Sequence, residues 1–248
     1  MYFITTTLFN QNAVTFPGIP FTPREIMSAH IDFCSAFYKA AAANTQKYMR
    51  PAKVGVFPGS FDPVTSGHID VLIKAAGSGK FSRIAVMVGN NPDKEYLFNM
   101  RERASLMQRD VRETVNPELT RRGVFCPVSV HTHEGQTAAF IRNIISTSIW
   151  PGAHPVLVRG VRNREDLAYE RIVRATVAKE LNESAYIEME LGLHLVRTDG
   201  AIRNISSTRA REESSEELKT LVPEFILGPL TERRSQHADN SMPSLQAA

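Results

Sequence analysis

Residues 57–70 read FPGSFDPVTSGHID, and they place small, hydroxyl-bearing and imidazole side chains between two regular patterns. The apolar run KVGVF at 53–57 predicts a strand, and HIDVLIKAA at 68–76 has the spacing of a helix. Gly67 would let backbone amides at the helix start face an anion. His68 would donate a hydrogen bond to a phosphate oxygen, and in its protonated form it would offset negative charge there. The stretch therefore predicts the phosphate end of a nucleotide site, with His68 as its chemical centre.

A lone histidine at a helix start more often caps the helix or packs against it, and this remains the alternative for His68. The Gly-His pair directly after the first strand favours the phosphate interpretation, because ligands of open α/β sheets bind beyond the carboxyl ends of strands. Two common phosphate loops are excluded, since the stretch matches neither GxxxxGK[ST] nor GxGxxG.

Composition places the 248-residue chain among ordinary globular proteins, with 42% hydrophobic and 22% charged residues and a net charge of +3. That charge is too small to predict a nucleic-acid partner, although a local phosphate site is compatible with it. Cys34 and Cys126 are far apart and lack metal-ligand spacing, so reduced thiols in a cytoplasmic setting are expected. No apolar run reaches the length that a membrane span needs, and no secretory signal pattern opens the chain.

Strand and helix patterns alternate from residue 53 to about residue 230. Such alternation predicts an α/β fold, a Rossmann-like doubly wound parallel sheet with helices on both faces. The further strand candidates are RIAVMVG (83–89), VFCPVSV (124–130), PVLVRG (155–160), AYIEMEL (185–191) and LHLV (193–196). The further helix candidates begin at NMRERASL (99–106), TAAFIRNII (137–145), REDLAYER (164–171), SSTRAREES (206–214) and SSEELKTLV (214–222).

Two of these helices carry start signals. Asn99 with Glu102, and Ser214 with Glu217, have the spacing of a capping box. In the first helix a set of apolar residues is predicted to line one face: Ala104, Met107, Val111 and Val115.

The segment GSFDPVTSGHIDVL resembles the signature of the nucleotidyltransferase superfamily that carries a (T/H)xGH motif, here Thr65 to His68. Within that superfamily it is most similar to the bacterial phosphopantetheine adenylyltransferases. The resemblance covers about residues 53–228 and implies adenylyl transfer from ATP to 4′-phosphopantetheine, which yields dephospho-coenzyme A and pyrophosphate. It further implies Mg²⁺ as cofactor, a homo-oligomer that is commonly a hexamer, and feedback binding of coenzyme A. The modest net charge and the lack of a long apolar run predict no nucleic-acid or membrane partner.

Three further segments match the family in the same order: NNPDKEYLF with Lys94, LVRGVRNREDLAYE with Arg159, and RNISSTRARE with Ser206. Each also has a structural explanation. A loop lysine is usually solvated, Arg162 and Asp166 have the spacing of a surface ion pair, and serine clusters commonly cap helices.

The resemblance assigns roles residue by residue. It implies that His68, Lys94, Arg162 and Ser60 are catalytic. It implies an ATP site of Ser60, Phe61, His68, Gly160, Val161, Arg162, Glu170, Ile205, Ser206, Ser207 and Thr208. It implies that phosphopantetheine contacts Ser60, Lys94, Thr137 and Arg159, with Phe140 near the same helix start, and that no residue is a dedicated metal ligand.

Other functions stay open at this point. ISST also fits nicotinate-mononucleotide adenylyltransferases and glycerol-3-phosphate cytidylyltransferases, and a nucleotide-binding regulatory protein could keep the site without turnover. The chain departs from the family at Ser60, where threonine is commoner, and before ISST, where an aromatic residue is absent. It also carries extra residues near RETVNPELTRRG (112–123) and STSIWPGAHP (146–155), which we expect to be surface loops.

Three parts are predicted: an N-terminal extension at 1–50, a nucleotidyltransferase domain at 51–230, and a polar, disordered tail at 231–248. The extension has no counterpart in the family, and residues 24–48 could form one amphipathic helix. Two further hypotheses concern its origin. Translation starts at Met49, directly before the first strand, or the extension is an organellar transit peptide.

Overall fold

Five parallel strands form one sheet in the order β3-β2-β1-β4-β5. The structure is a computed structural model that describes residues 52–146, 153–183, 189–198, 200, 204–213 and 215–241. The strands are β1 (Lys53–Gly59), β2 (Arg83–Gly89), β3 (Val128–His133), β4 (His154–Val161) and β5 (Gly192–Arg197). This order, with helical crossovers between strands, confirms the predicted Rossmann-like fold.

Helices cover both faces of the sheet. They are α1 (Ser66–Gly77), α2 (Met100–Asp110), α3 (Asn116–Arg121), α4 (Thr137–Ser146), α5 (Arg164–Glu183), α6 (Ser207–Glu212), α7 (Ser215–Leu221) and α8 (Glu224–Ser241). Successive residues of a strand point to opposite faces, so Val56 packs in the core under α4 and α5 while Phe57 packs in the core under α1 and α2. The continuous apolar run of β2 is therefore buried on both sides.

The predicted start of α2 is confirmed. The side chain of Asn99 accepts a hydrogen bond from the N–H of Glu102 at 3.0 Å, and the Glu102 carboxylate accepts from the N–H of Asn99 at 2.8 Å. This reciprocal pair satisfies two backbone donors that the first helical turn leaves unpaired. The predicted face also holds, since Ala104, Met107, Val111 and Val115 are all buried.

Strand β3 begins later than the pattern VFCPVSV predicted. Residues 123 and 124 instead close the end of α3, with hydrogen bonds from the N–H groups of Gly123 and Val124 to α3 carbonyls. Pro127 has no N–H to donate to a ladder, and pairing starts at the next residue, Val128 opposite Ile84.

Residues 112–121 of the extra segment are helical, so the expectation of a surface loop there is wrong. A π-helical turn at Val111–Val115 continues α2 into α3. Val115 and Leu119 anchor this extension because both are fully enclosed in the core. The hydrophobic spacing of α2 thus continues into the segment for which a loop is predicted.

Asp110, at the junction of α2 and the π-helical turn, is fully buried. Burial raises the pKa of this carboxyl to about 6, Thr114 opposes the shift, and Glu113 adds to it. Because folding raises this pKa, the folded state favours the protonated carboxyl. The stability that Asp110 adds to the folded state is therefore fully present below pH 4 and is lost as the pH rises through about 6.

Asp110→Asn is therefore expected to stabilise the protein by about 1–2 kcal/mol at pH 7, because it removes a buried charge. The free energy of unfolding of the wild type should fall between pH 4 and pH 6, and that of Asp110→Asn should not. Urea denaturation across this pH range measures both effects, with Glu134→Gln as an exposed control. Equal pH dependence in the wild type and Asp110→Asn would contradict the assignment.

Helix α8 replaces the first part of the predicted tail. Residues 231–241 are helical, so the domain does not end at 230. Of the predicted tail, residues 242–248 lie outside the described part of the chain. Two arginines explain why this polar segment packs on the domain. Arg233 pairs with Glu102 and lies over the Phe98 ring at 5.9 Å, and Arg234 donates to the carbonyl of Glu213 at 2.8 Å.

Several predictions fall outside the described residues: every statement about residues 1–50, the Ser214 capping box, most of the strand candidate at 185–191, and most of the extra segment at 146–155. Within the described ranges, no helix is both long and apolar enough to cross a bilayer.

Candidate functional site

The loop from β1 to α1 folds back on itself directly after the strand. The ring of Phe61 lies over Gly59, where an added Cβ would be 2.7 Å from the ring, so a side chain at 59 would displace the loop. Phe61 itself has a φ of +51° and a buried side chain. Any contact that Phe61 makes with a nucleotide would therefore come from its backbone.

His68 lies in the first turn of α1, and its ring is packed against aromatic neighbours. Its centroid is 5.0 Å from that of Phe61 in an edge-on arrangement and 6.4 Å from that of Phe57. The Nδ1 atom accepts a hydrogen bond from the backbone N–H of Thr65 at 3.1 Å, with the Thr65 hydroxyl at 3.0 Å. Because an N–H can only donate, Nδ1 carries no proton and the neutral ring has its proton on Nε2.

Burial, together with the Arg159 guanidinium, lowers the pKa of His68 to about 4. The imidazole is therefore neutral at physiological pH, and Nε2–H is its donor. This supports hydrogen-bond donation to a phosphate oxygen and disfavours the protonated form that the sequence left open. The capping alternative also holds in part, since His68 does accept the N–H of Thr65.

Helix α6 docks onto the same loop. The Ser207 hydroxyl donates to the carbonyl of Pro63 at 2.8 Å, and Arg211 donates to the carbonyl of Asp62 at 2.7 Å. Gly67 also lies within van der Waals distance of Ile205. The first turns of α1 and α6 thus lie side by side, although the two segments are about 140 residues apart in sequence.

Ser206 is the N-cap of α6, where its side chain accepts from the N–H of Arg209 at 3.1 Å. The capping alternative is thus correct for Ser206, and it does not exclude a ligand contact. The Thr208 side chain is exposed, and it lies one residue after Ser207, which faces the loop.

Lys94 lies in the loop between β2 and α2, and it is exposed. The loop is joined to the β1–α1 loop by Asp62, whose carboxylate accepts the N–H groups of Leu97 at 2.8 Å and Phe98 at 3.0 Å. Asp62 is fully buried, and Arg211 lies 3.8 Å from it. The predicted lysine is therefore carried by a loop that is fixed to the histidine loop at its far end.

Arg159 at the end of β4 forms a two-point ion pair with Glu170, at 2.7 and 2.9 Å. Its Nη1 also donates to the carbonyl of Pro58 at 2.9 Å. Glu170 is buried and both of its carboxylate oxygens accept from Arg159, whereas its contact with ATP stays a prediction. The pair fixes the guanidinium beside the β1–α1 loop and leaves two of its five N–H groups for other acceptors.

Arg162 forms the surface ion pair that the sequence offered as its structural explanation. Its Nε lies 2.9 Å from the Asp166 carboxylate, which also accepts the Arg162 backbone N–H at 2.8 Å. The side chain is 48% exposed. Such a pair contributes only about 0.5 kcal/mol, so a phosphate could replace Asp166 at little cost.

Two other predicted contacts have packing roles. A Cβ on Gly160 would lie 2.9 Å from Val71, so glycine is needed at 160 for α1 to pack on β4, and its contact with ATP stays a prediction. Phe140 is buried against the rings of His131 and His133. Thr137 begins α4, and Val161 ends β4 with its carbonyl bonded to the N–H of Thr198.

Sequence reasoning missed three charged residues that build the site: Asp62, Arg103 and Arg211. Asp62 was part of the quoted motif but had no role assigned to it. For Arg103 a signal was available, because it lies one turn before Met107 on the buried face of α2, where a charged residue needs an explanation. No comparable signal marks Arg211.

Comparisons with known proteins show which family the chain belongs to. A family model described as cytidylyltransferase-like matches residues 56–213. The chain is 33% identical to the phosphopantetheine adenylyltransferase of Leuconostoc mesenteroides over 73% of this chain and 95% of that protein. It is 32% identical to the enzyme of the same name from Leuconostoc citreum, over 73% and 98%.

A solved structure shares the fold. Nicotinic acid mononucleotide adenylyltransferase of Plasmodium falciparum superposes with a TM-score of 0.53 at 14% identity, over 73% of this chain and 95% of that one. At this identity the likeness concerns the fold alone. The extent of the family model and the identity to full-length relatives show that the chain belongs to the cytidylyltransferase-like family and, within it, to the phosphopantetheine adenylyltransferases.

Proposed function

We propose that the protein transfers the adenylyl group of ATP to 4′-phosphopantetheine, giving dephospho-coenzyme A and pyrophosphate. The observation that carries this proposal is the neutral His68 in the first turn of α1, beside the first turn of α6, in a chain that matches relatives of that name along nearly their whole length. Helix starts and an imidazole donor are groups that bind phosphate oxygens.

The reaction needs no nucleophile from the protein. A phosphate oxygen of 4′-phosphopantetheine attacks the α-phosphorus of ATP, a new P–O bond forms, and the bond from the α-phosphorus to the bridging oxygen breaks. Pyrophosphate leaves with the electron pair of that bond. Catalysis then consists of holding two polyanions in line and stabilising the charge that develops on the oxygens of the α-phosphate.

His68 would donate its Nε2–H to an α-phosphate oxygen, and the hydroxyl of Ser60 would orient the incoming phosphate. Lys94 would move from solvent onto the reacting phosphates, and its position on a fixed loop limits how far it must travel. The start of α6, with Ser206 to Thr208, would bind the β- and γ-phosphates.

The two arginines would act differently. Arg162 would exchange the exposed Asp166 carboxylate for an ATP phosphate. Arg159 would keep Glu170 and use its remaining N–H groups to bind 4′-phosphopantetheine, because breaking a partly buried two-point ion pair is far more expensive.

Mg²⁺ does not have a protein cage in the part of the chain that the structure describes. No group of three or more His, Cys, Asp or Glu side chains is placed there to hold a metal ion. The ion would accompany ATP on its phosphate oxygens and waters, where it neutralises phosphate charge.

Incubation of the full chain with ATP, Mg²⁺ and 4′-phosphopantetheine, followed by mass detection of dephospho-coenzyme A, tests the proposal. Nicotinate mononucleotide and glycerol 3-phosphate, each with ATP and with CTP, are the competing substrate pairs. Product from one of these pairs, with none from 4′-phosphopantetheine, would overturn the acceptor assignment. Tight ATP binding without pyrophosphate release from any pair would favour a regulatory protein.

A homo-oligomer is part of the proposal. Helix α5 exposes Tyr169 and Ile172, 61% and 65% accessible, one turn apart on one face. Large apolar side chains at this spacing fit a contact with a second copy of the chain. Ile172→Glu should lower the mass in sedimentation, whereas Lys219→Glu, at an exposed position on α7, should not. An unchanged mass for Ile172→Glu would place any subunit contact elsewhere.

Feedback binding of coenzyme A would use the same cleft. Coenzyme A carries both the adenylyl and the pantetheine parts of the product, so it would compete with both substrates for their sites.

A further inference from the structure

Arg103 is the most deeply buried cationic side chain in the described part of the molecule, with 1% of its surface exposed. It lies on the inner face of α2, where the neighbouring buried residues are Ala104 and Met107. A buried guanidinium requires an acceptor for each N–H that is removed from water, so its partners indicate what it is for.

Four of its five N–H groups have partners, and all four acceptors belong to the two loops of the candidate site or to the strand end beside them. Nε donates to the carbonyl of Phe98 at 3.0 Å. Nη1 donates to the carbonyls of Ser60 at 2.6 Å and Gly89 at 2.9 Å. Nη2 donates to the side-chain oxygen of Asn90.

The acceptors come from three separate places in the chain. Ser60 belongs to the β1–α1 loop, Gly89 ends β2, and Asn90 and Phe98 lie at the two ends of the loop that carries Lys94. One rigid group therefore fixes the two ends of the lysine loop relative to each other and to the loop of Ser60. The planar fork of a guanidinium suits this task, and the single ammonium of lysine does not.

The loop that carries Lys94 (residues 90–98) also packs on the Arg103 guanidinium through the ring of Tyr96. The guanidinium carbon lies 4.2 Å from the centre of the Tyr96 ring. The Tyr96 hydroxyl accepts the N–H of Asn91 at 2.6 Å, and the Asn91 carbonyl accepts the N–H of Lys94 at 3.1 Å. The backbone of Lys94 thus connects to Arg103 through two residues of its own loop.

We propose that Arg103 is a positioning residue that sets the separation between Ser60 and Lys94, because its buried guanidinium binds both loop ends and the β1–α1 loop at once. It does not touch substrate in this role. The catalytic part of the inference rests on the proposed function, whereas the effect on loop geometry does not.

The test compares Arg103→Lys with Arg142→Lys. Arg142 is a matched control because it also donates to backbone carbonyls, those of Glu180 and Leu181, away from the two loops. Hydrogen exchange without substrate is the first measurement. Arg103→Lys should raise the exchange rates of segments 58–64 and 90–99 at least about tenfold, since local opening governs exchange, and Arg142→Lys should leave both segments unchanged.

Activity is the second measurement. Displacing a reacting group by about 1 Å can lower the rate about 100-fold, so Arg103→Lys should lower kcat for adenylyl transfer by about 10- to 100-fold. The decisive readout is the double variant. If Arg103 acts through Lys94, Arg103→Lys should have little further effect once Lys94 is replaced by methionine. A purely structural role would instead give additive losses.

Unchanged exchange in 90–99, or fully additive losses with Lys94→Met, would overturn the inference. If the wild type fails to adenylylate 4′-phosphopantetheine, the exchange experiment and the affinity for ATP still test the positioning role of Arg103. In that case a weaker ATP affinity for Arg103→Lys than for Arg142→Lys supports the positioning role, and equal affinities together with unchanged exchange refute it. If Arg103→Lys does not fold, Tyr96→Leu removes the stacking partner and should accelerate exchange at Asn91 and Lys94.

Discussion

His68→Ala is expected to lower kcat/KM for adenylyl transfer by about 10³-fold, because it removes a fixed donor from the charge that develops at the α-phosphate. The free energy of unfolding should change by only about 1 kcal/mol, the value of one capping hydrogen bond from the N–H of Thr65. Steady-state kinetics and urea denaturation of the purified variant measure the two quantities separately.

The matched control is His194→Ala. His194 is also partly buried and packs edge-on against a phenylalanine, Phe81, at 5.1 Å, but it lies on β5. Burial lowers its pKa as well, with Lys80 contributing. Loss of activity in both variants would mean that the effect of His68→Ala is one of packing, and near wild-type turnover of His68→Ala would refute the catalytic role.

The pH dependence gives a second check on His68. Its pKa is lowered to about 4, so the neutral donor is already present at pH 5.5 and stays present as the pH rises. The pH profile of kcat/KM for ATP reports the ionisable groups of the free enzyme. Between pH 5.5 and 8, the profiles of the wild type and of His68→Ala should therefore have the same inflections. An inflection near 6.5 that disappears in the variant would show that the ring titrates normally.

The parts of the fold that were predicted correctly depend on local patterns. Strand β2 has the predicted bounds because six apolar or small residues in a row follow Arg83, as is typical of a strand covered on both faces. The start of α2 followed from Asn99 and Glu102, whose bonds are three residues apart. Helix α8 could not be found in this way, since Arg233 is held by Glu102, a residue 131 positions earlier.

The same distinction applies to the site. The loop carrying His68 and the start of α6 are predicted from contiguous motifs, and the structure places the two segments side by side. The pairing of Arg159 with Glu170, the buried bonds of Arg103 and the docking of Arg211 on Asp62 depend on how distant segments meet. Periodicity and motif spacing contain no information about contacts between distant segments. For this reason the sequence does not predict which residues fix the loops of the site to one another.

Asp62→Ala is expected to destabilise the protein by about 3–5 kcal/mol, the largest loss among the site residues. The carboxylate is fully buried, and it accepts the N–H groups of Leu97 and Phe98, so its removal leaves two backbone donors unpaired. It also removes a negative charge that lies 3.8 Å from the Arg211 guanidinium and stabilises the charge of Arg103. Urea denaturation gives the change in unfolding free energy.

The carboxylate of Asp62 and the guanidinium of Arg103 hold the same residue, since Asp62 accepts the N–H of Phe98 while Arg103 donates to its carbonyl. Asp62→Ala should therefore also accelerate amide exchange at Leu97 and Phe98 beyond the change expected from global stability. Glu118→Ala is the control, because Glu118 likewise has two partners, Arg121 and Arg122, but lies at the surface. Screening by solvent makes that loss far smaller. Equal destabilisation by the two substitutions would mean that Asp62 does not hold the lysine loop to the histidine loop.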